Sequence, residues 1–223
     1  MSHILNIAHR GFHTTFPDNT LEAFAAAIQI GVDGIELDIQ ETADNKFIVF
    51  HDDKLQGIDI RHLVFDEVKN IKLQNKFGIP TLEEALDLCH NRVGLFIELK
   101  KVRSLDKFLA LLKSRSELKD IVVISFHKDL VSRCQRLAPD IRTGIITALP
   151  FRDPIKIAKS AQCNVIVIRF PYVNLRLIEN AHASNLSVFV WGCPDLKASR
   201  KVLRLGIDGM ISDFPELVKQ EIG

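Results

Sequence analysis

Two pairs of charged side chains, Glu36 with Asp38 and Glu98 with Lys100, stand two residues apart. Each pair ends a short apolar run typical of a β-strand, and residues i and i+2 of a strand point to the same side. If both pairs face inward at the strand ends, three carboxylates and an ammonium group converge. Such a concentration of negative charge needs a cation, and an all-oxygen site suits one divalent metal ion, Mg²⁺ or Ca²⁺. Either pair alone is more often a solvated or salt-bridged rim, so the prediction depends on finding two.

Two histidines could supply acid–base chemistry beside these carboxylates. His9 and Arg10 follow an apolar run, and Gly11 allows the chain to turn sharply there; His51 ends another run. A lone histidine after a strand is usually structural, whereas two imidazoles that flank a metal suit general acid and base catalysis near neutral pH. Arg10 offers a planar fork and Lys100 a point charge for phosphate oxygens. The set predicts a phosphodiester-cleaving site, with the alternative that Lys100 merely pairs with Glu98 or Glu36.

Short β-branched runs alternate with amphipathic stretches along the whole chain, which is the pattern of βα units around a parallel sheet. The predicted strands span 4–8, 33–39, 93–99, 121–125, 141–146, 164–168, 187–191 and 207–212. The predicted helices span about 19–30, 81–90, 105–116, 128–137, 154–161, 174–184, 195–204 and 214–220. Eight βα units favour an α/β fold, a closed (β/α)8 TIM barrel, whose active site is expected at the C-terminal ends of the strands.

A ninth extended run, 46–52, follows the second strand after a turn at 43–45. A parallel neighbour needs a crossover of a dozen or more residues, so this run is predicted to fold back as an antiparallel hairpin on the top face of the barrel. The hairpin returns His51 to the level of Asp38. Residues 53–80 are irregular and are predicted to form a short cap insertion beside the site. We expect residues 1–223 to form a single catalytic domain.

Composition excludes several classes of protein. The 223 residues contain 29 Lys and Arg against 28 Asp and Glu, a net charge of +1, so no global field points to nucleic acid or an anionic membrane. No run approaches the ~18 apolar residues of a membrane span, and no stable membrane insertion is expected. The isolated cysteines 89, 134, 163 and 193 lack zinc-ligand spacing and favour a reducing cytoplasm. The expected partner is a small-molecule phosphodiester; the oligomeric state stays open, a homodimer included.

A series of motifs across nearly the whole chain resembles the glycerophosphodiester phosphodiesterase family. They are Ala8-His9-Arg10-Gly11, Pro17-Asp18-Asn19-Thr20, Gly34-Ile35-Glu36-Leu37-Asp38, Val49-Phe50-His51-Asp52, Ile79-Pro80-Thr81-Leu82-Glu83-Glu84, Ile97-Glu98-Leu99-Lys100, Gly206-Ile207-Asp208-Gly209 and Ser212-Asp213-Phe214-Pro215. The resemblance implies metal-dependent hydrolysis of glycerophosphodiesters to sn-glycerol 3-phosphate and an alcohol. It also implies roles for seven residues: metal ligands Glu36, Asp38 and Glu98, acid and base His9 and His51, and phosphate binders Arg10 and Lys100.

The chain departs from the family pattern at two places. Asp18 stands where the family usually has glutamate, which bears on the orientation of the first loop. The insertion at 53–80 is shorter than the usual cap, which predicts a more open site.

Aromatic residues are predicted near the mouth of the barrel. Trp191 ends the seventh strand, where the family often has an aromatic residue, and is predicted to bind substrate. Five others could either contact the substrate or simply close the barrel, and these are Phe12, Phe16, Phe126, Phe170 and Tyr172. The remaining histidines, at 3, 13, 62, 90, 127 and 182, are expected to be surface residues.

Other functions remain open from the sequence. The same chemistry could serve a lysophospholipase D that acts on lysolipids. A non-catalytic phosphodiester-binding barrel is less favoured, because every charged and imidazole position is present. Another metal-dependent barrel enzyme, such as an aldolase or isomerase, would share the three carboxylates but has less use for the two histidines with Arg10 and Lys100.

Overall fold

The computed structural model of the chain describes residues 3–115, 118–149 and 153–223. Its strands are β1 Leu5–His9, β2 Gly34–Glu41, β3 Phe47–Val49, β4 Lys54–Leu55, β5 Ile58–Asp59, β6 Lys72–Leu73, β7 Phe77–Gly78, β8 Gly94–Leu99, β9 Ile121–Ser125, β10 Arg142–Thr147, β11 Val165–Arg169, β12 Ser187–Trp191 and β13 Gly209–Ser212. The α-helices are α1 Leu21–Ile30, α2 Phe65–Val68, α3 Leu82–Cys89, α4 Leu105–Arg115, α5 Lys128–Leu137, α6 Pro154–Ala161, α7 Leu175–His182, α8 Leu196–Leu203 and α9 Pro215–Ile222. The helix predicted at 105–116 is α4, and its predicted last residue, 116, lies outside the described residues.

Eight parallel strands form a closed barrel. Their order is β1-β13-β12-β11-β10-β9-β8-β2, and β1 pairs with β2 to complete the ring. Each strand is followed by a helix, since a parallel neighbour can be reached only by a crossover. The predicted (β/α)8 TIM barrel is confirmed.

Alternation along the strands separates two cores. On β2, Ile35, Leu37 and Ile39 join the cluster that packs against α1 and α3. A separate cluster that includes Phe96, Val122 and Phe189 fills the barrel interior. Because alternate residues point to opposite sides of a strand, Glu36 and Asp38 share the inward face and lie above that apolar filling.

The rim beside β2 has its own small architecture. As the short turn predicts, β3 pairs antiparallel with β2, and Val49 lies opposite Ile39. Residues 53–80 continue as the hairpins β4–β5 and β6–β7, a 3₁₀ turn at Ile60–His62 and α2. Buried residues of this segment, among them Leu55, Ile60 and Val68, pack in one cluster with Ile48 of β3. The insertion is therefore held to the barrel through the hairpin that carries His51.

Candidate active site

Strand register alone brings the predicted carboxylates and His9 together. His9 is paired with Glu36 across β1 and β2, and Asp38 is paired with Glu98 across β2 and β8. His9 ends β1 and Glu98 is the second-last residue of β8, whereas β2 continues past Asp38 into its hairpin with β3. The even-numbered residues of β2 and β8 face inward, so the four side chains meet over the top of the barrel interior.

The three carboxylates are buried and close to one another. Glu36, Asp38 and Glu98 are 3%, 0% and 7% exposed, and their ligand oxygens all lie within 4.8 Å of one another. Burial raises the pKa of Glu36 well above its usual value, and the charges of Asp38 and Glu98 raise it further. Burial also raises the pKa of Glu98 to about 7. Glu36 and Glu98 therefore keep their protons to a higher pH than ordinary glutamates do. A divalent cation could take the place of those protons. The donor set fits a hard cation.

Asp38 is the carboxylate that stays ionised. Burial alone would raise its pKa, but the nearby cations outweigh that effect and the pKa is lowered. Lys100 Nζ lies 2.9 Å from one carboxylate oxygen and Arg10 Nε lies 3.1 Å from the other. Asn19 holds the same residue from a third side: its Nδ2 donates to Asp38 Oδ2 over 2.8 Å, and its Oδ1 accepts from the Asp38 backbone N–H.

Lys100 therefore pairs with carboxylates of the site. Besides Asp38, its Nζ lies 2.6 Å from Glu98 Oε1. Of the two pairings considered from the sequence, the one with Glu98 is present. Lys100 also lines the cavity that contains His9 and His51, so its pairing with carboxylates leaves it in contact with that cavity.

The loop after β1 shapes the site through an unusual backbone. Arg10 and Gly11 have φ angles of +54° and +83°. A Cβ atom on Gly11 would lie 2.8 Å from the backbone of Ala23, so only glycine fits there. The turn points the Arg10 backbone N–H at Glu36 Oε2, and Arg10 Nη1 donates to Asp18 Oδ2 over 3.0 Å. The shorter Asp18 still reaches Arg10.

His9 is held by a residue that the sequence reasoning missed. Its Nδ1 lies 2.6 Å from Oδ1 of Asp213, which directly follows β13, while its Nε2 lies 3.8 Å from Glu36 Oε2. The Asp213 carboxylate therefore fixes which ring nitrogen of His9 faces the cluster of Glu36, Asp38 and Glu98. Asp213 belongs to the motif Ser212-Asp213-Phe214-Pro215. Its position directly after the last barrel strand was the sequence signal that could have placed it at the site.

His13 shares the same carboxylate. Its Nε2 lies 3.1 Å from Asp213 Oδ1, and its side chain is only 27% exposed. The hydrogen bonds from His13 and His9 lower the pKa of Asp213, and the hydrogen bond to Asp213 raises the pKa of His13. The expectation that His13 is a surface residue without a partner is wrong, because the loop after β1 folds back over β13.

The hairpin delivers His51 to the same cavity. The Phe50 N–H donates to the carbonyl of Asp38, and the Gln40 side chain donates to the carbonyls of His51 and Asp52. His51 Nδ1 lies 2.7 Å from Asp52 Oδ1, and the imidazole is 39% exposed. Both histidines therefore carry a carboxylate at Nδ1, which leaves Nε2 of each free for acid–base chemistry.

One cavity of about 150 Å³ joins these groups, and it has two unlike walls. The polar wall contains His9, Arg10, Glu36, His51, Glu98 and Lys100, and the apolar wall contains Ile124, Phe126, Ile146, Val167, Trp191 and Ile211. Trp191 stacks edge to face on Phe126, with ring centroids 6.1 Å apart.

The other aromatic residues predicted near the rim lie elsewhere. Phe12 packs against the core beneath α1, and Phe170 and Tyr172 pack against the cluster beneath α6 and α7. Phe16 stacks on Phe77 of the insertion. Of the five aromatic residues left open from the sequence, only Phe126 lines the cavity, and the other four pack against the cores or the insertion.

In the described ranges, no helix is both long enough and apolar enough to span a membrane. The four cysteines are all buried and unpaired.

Comparison with known proteins identifies the family of the chain. Residues 9–217 match the model of the glycerophosphoryl diester phosphodiesterase family. The chain is 31% identical over 232 residues to YhdW of Bacillus subtilis, a protein assigned to the glycerophosphodiester phosphodiesterases, and the match covers 95% of each chain. A glycerophosphodiester phosphodiesterase of Thermotoga maritima superposes with a TM-score of 0.84 at 26% identity and 99% coverage of both chains. A phosphodiesterase of Oleispira antarctica, solved with its product sn-glycerol-3-phosphate, has the same fold, with a TM-score of 0.89, 24% identity and coverage of 97% and 95%. The chain therefore belongs to the glycerophosphoryl diester phosphodiesterase family of enzymes.

Proposed function

We propose that the protein hydrolyses glycerophosphodiesters to sn-glycerol 3-phosphate and an alcohol, with one divalent cation, Mg²⁺ or Ca²⁺. The observation that carries the proposal is that two histidines, two cations and the carboxylates of Glu36 and Glu98 line a single cavity, with the buried Asp38 carboxylate clustered beside them. The product bound to the Oleispira antarctica phosphodiesterase, a protein of the same fold, is sn-glycerol-3-phosphate, which supports the choice of product.

Glu36, Asp38 and Glu98 are the proposed metal ligands. The cation, when bound, would supply positive charge that polarises a non-bridging phosphate oxygen. Arg10 and Lys100 would bind the other phosphate oxygens and stabilise the charge that develops on the phosphoryl group. Trp191 and Phe126 would pack against the organic part of the substrate.

His9 and His51 are the proposed acid and base. One imidazole takes the proton from the attacking oxygen as that oxygen bonds to phosphorus. The other gives a proton to the alkoxide as the bond from phosphorus to the alcohol oxygen breaks. The carboxylates at Nδ1 hold both rings in place and leave Nε2 of each ring for the proton transfer.

Replacing His51 with alanine tests the proposed function. We expect release of sn-glycerol 3-phosphate from glycerophosphocholine to fall at least about 100-fold in kcat, because one proton transfer loses its catalyst. The matched control is His90→Ala at the opposite end of the barrel, which should leave the rate unchanged. Chelation should stop the wild-type reaction, and added Mg²⁺ or Ca²⁺ should restore it. A wild-type rate in the His51 variant would refute the assignment.

We also propose that residues 1–223 act as one domain and that residues 53–80 form its cap. The shared cluster of Ile48 with Leu55, Ile60 and Val68 supports this, because it ties the insertion to the hairpin at the site. The buried, unpaired thiols support a cytoplasmic location.

An apolar recess favours lysolipids as a second candidate substrate. It has a volume of about 190 Å³ beside Phe126 and is lined by Ile145, Ile146 and Leu149, of which Leu149 is 58% exposed. An acyl chain could lie against this surface while the phosphodiester occupies the same catalytic cavity. Comparing turnover of lysophosphatidylcholine with that of glycerophosphocholine separates the two: a higher kcat/KM for the lysolipid would favour a lysophospholipase D.

A further inference from the structure

A second groove opens on the top face beside the catalytic cavity. It has a volume of about 590 Å³. Its walls come from the insertion, from the loop after β8 and from the first turns of α5. Six of its lining residues are cationic, and we call it the basic groove: Arg61, Lys100, Lys101, Arg103, Lys128 and Arg133.

The charge of the basic groove is local. The whole chain carries a net charge of only +1, whereas Asp129 is the one acidic residue among the described residues that line the groove. Three of the cations are satisfied by carboxylates outside the lining. Arg61 pairs with Asp59, Lys101 with Asp53 and Arg103 with Glu41.

Lys128 and Arg133 differ from those three cations. Both are exposed, and neither has a carboxylate partner within residues 3–115, 118–149 and 153–223. They lie on α5 and line the groove. Their charge is therefore available to an anion that enters from solvent.

The basic groove and the catalytic cavity share two residues. Lys100 and Phe126 line both. A phosphodiester held by Arg10 and Lys100 has two organic substituents, and one of them can leave the cavity past Phe126 into the basic groove. A substituent on that path meets the unpaired cations of α5.

We propose that the basic groove binds a second phosphate, so that the preferred substrates are glycerophosphodiesters whose alcohol itself carries a phosphate group. The inference rests on the proposed function and specifies its substrate class. The groove is concave and begins at the catalytic lysine, which suits a short chain of linked phosphates better than a flat anionic membrane. Hydrolysis forms a bond from the attacking oxygen to phosphorus, breaks the bond to the alcohol oxygen and protonates that oxygen, so the phosphorylated alcohol leaves through the basic groove.

The test compares glycerophosphoethanolamine, which has one phosphate, with bis(glycerophospho)glycerol, which has two. In the wild type, kcat/KM should be at least about tenfold higher for the second substrate. The double variant Lys128→Glu/Arg133→Glu should remove that preference through KM, and it should keep the rate on glycerophosphoethanolamine within about twofold. The preference should also shrink at high salt, since both cations are exposed. The matched control is Lys197→Glu/Lys201→Glu on the exposed face of α8, which should leave kcat/KM for both substrates unchanged.

Other outcomes would overturn the inference. If the double variant loses kcat/KM equally on both substrates, or on neither, the basic groove does not select the alcohol. A double variant that changes only binding to vesicles containing phosphatidylglycerol would assign the groove to a membrane surface instead. If the wild type hydrolyses neither substrate, the proposed function has failed. In that case, calorimetry of bis(glycerophospho)glycerol binding still tests the basic groove. Weaker binding to the double variant than to the wild type would support phosphate binding in the groove, and equal binding would refute it.

Discussion

The variant Glu36→Gln should fold at least as stably as the wild type and lose nearly all activity. Burial and the neighbouring carboxylates raise the pKa of Glu36 well above its usual value, so without a cation the side chain is held in its neutral form. Glutamine has the shape of that neutral form and can bind neither a proton nor a divalent cation as a carboxylate does. We expect kcat/KM on glycerophosphocholine to fall at least about 1000-fold, as the loss of charge stabilisation by a metal implies.

The pH dependence of stability gives a second measure of the same variant. In chelator, folded wild-type protein keeps the Glu36 proton above pH 4.5, the ordinary value, whereas the unfolded chain has released it. Wild-type stability therefore falls as the pH rises from that value towards the raised pKa, and glutamine lacks this loss. The melting temperature of the variant should exceed that of the wild type by a margin that widens as the pH rises above 4.5. Added Mg²⁺ or Ca²⁺ should raise the melting temperature of the wild type only.

The matched comparison is Asp38→Asn. Asp38 is ionised and fully buried between Arg10 and Lys100, so its loss removes the one carboxylate that these two cations share. That variant should be destabilised by about 3–5 kcal/mol in urea unfolding. If Glu36→Gln is destabilised as strongly as Asp38→Asn, the protonated state assigned to Glu36 is wrong.

Asp213→Asn should lower kcat about 1000-fold while KM changes little. Asparagine keeps the size of the side chain but can donate a hydrogen bond to His9 Nδ1, which favours the ring with its proton on the wrong nitrogen. A comparable change in a serine protease triad costs about 10⁴-fold. His9→Ala should lose at least as much, because it removes the imidazole itself.

The position of the imidazole proton distinguishes this role from a merely structural one. Nitrogen-15 NMR of the His9 ring should show the Nδ1–H form in the wild type and a shift toward the Nε2–H form in Asp213→Asn. Asp213→Glu should recover part of the activity, since it restores an acceptor. His13→Asn, which touches the same carboxylate from the other side, should have a much smaller effect on kcat. Unchanged tautomer and kcat in Asp213→Asn would contradict the role assigned to Asp213.

Residues within one strand, or on strands adjacent in the barrel, were predictable from the sequence. Glu36 and Asp38 share a face because side chains alternate, and Glu98 joins them because equivalent positions of neighbouring parallel strands align. His51 followed from the length of a turn, which allowed only an antiparallel hairpin.

Contacts that depend on loop paths were not predictable in the same way. Asn19 reaches Asp38 only because the loop after β1 takes positive φ angles, and His13 meets Asp213 only because that loop bends over β13. The basic groove likewise combines residues from an insertion, a loop and a helix, whose separation in sequence hides their common charge. Periodicity specifies which face of an element is buried, but it does not specify how three connecting segments meet.

The bond between His9 and Asp213 joins residues 204 positions apart. During synthesis the Asp213 carboxylate is made 204 residues after His9, so this bond cannot form until β13 has been made. A chain that stops after β12 would contain both histidines, every proposed metal ligand and both phosphate-binding cations, yet the ring of strands would be open and His9 unrestrained. The contact between His9 and Asp213 would then form only when β13 pairs with β1 and closes the ring, and it would be lost when β13 detaches. Catalytic activity would thus report whether the barrel is closed.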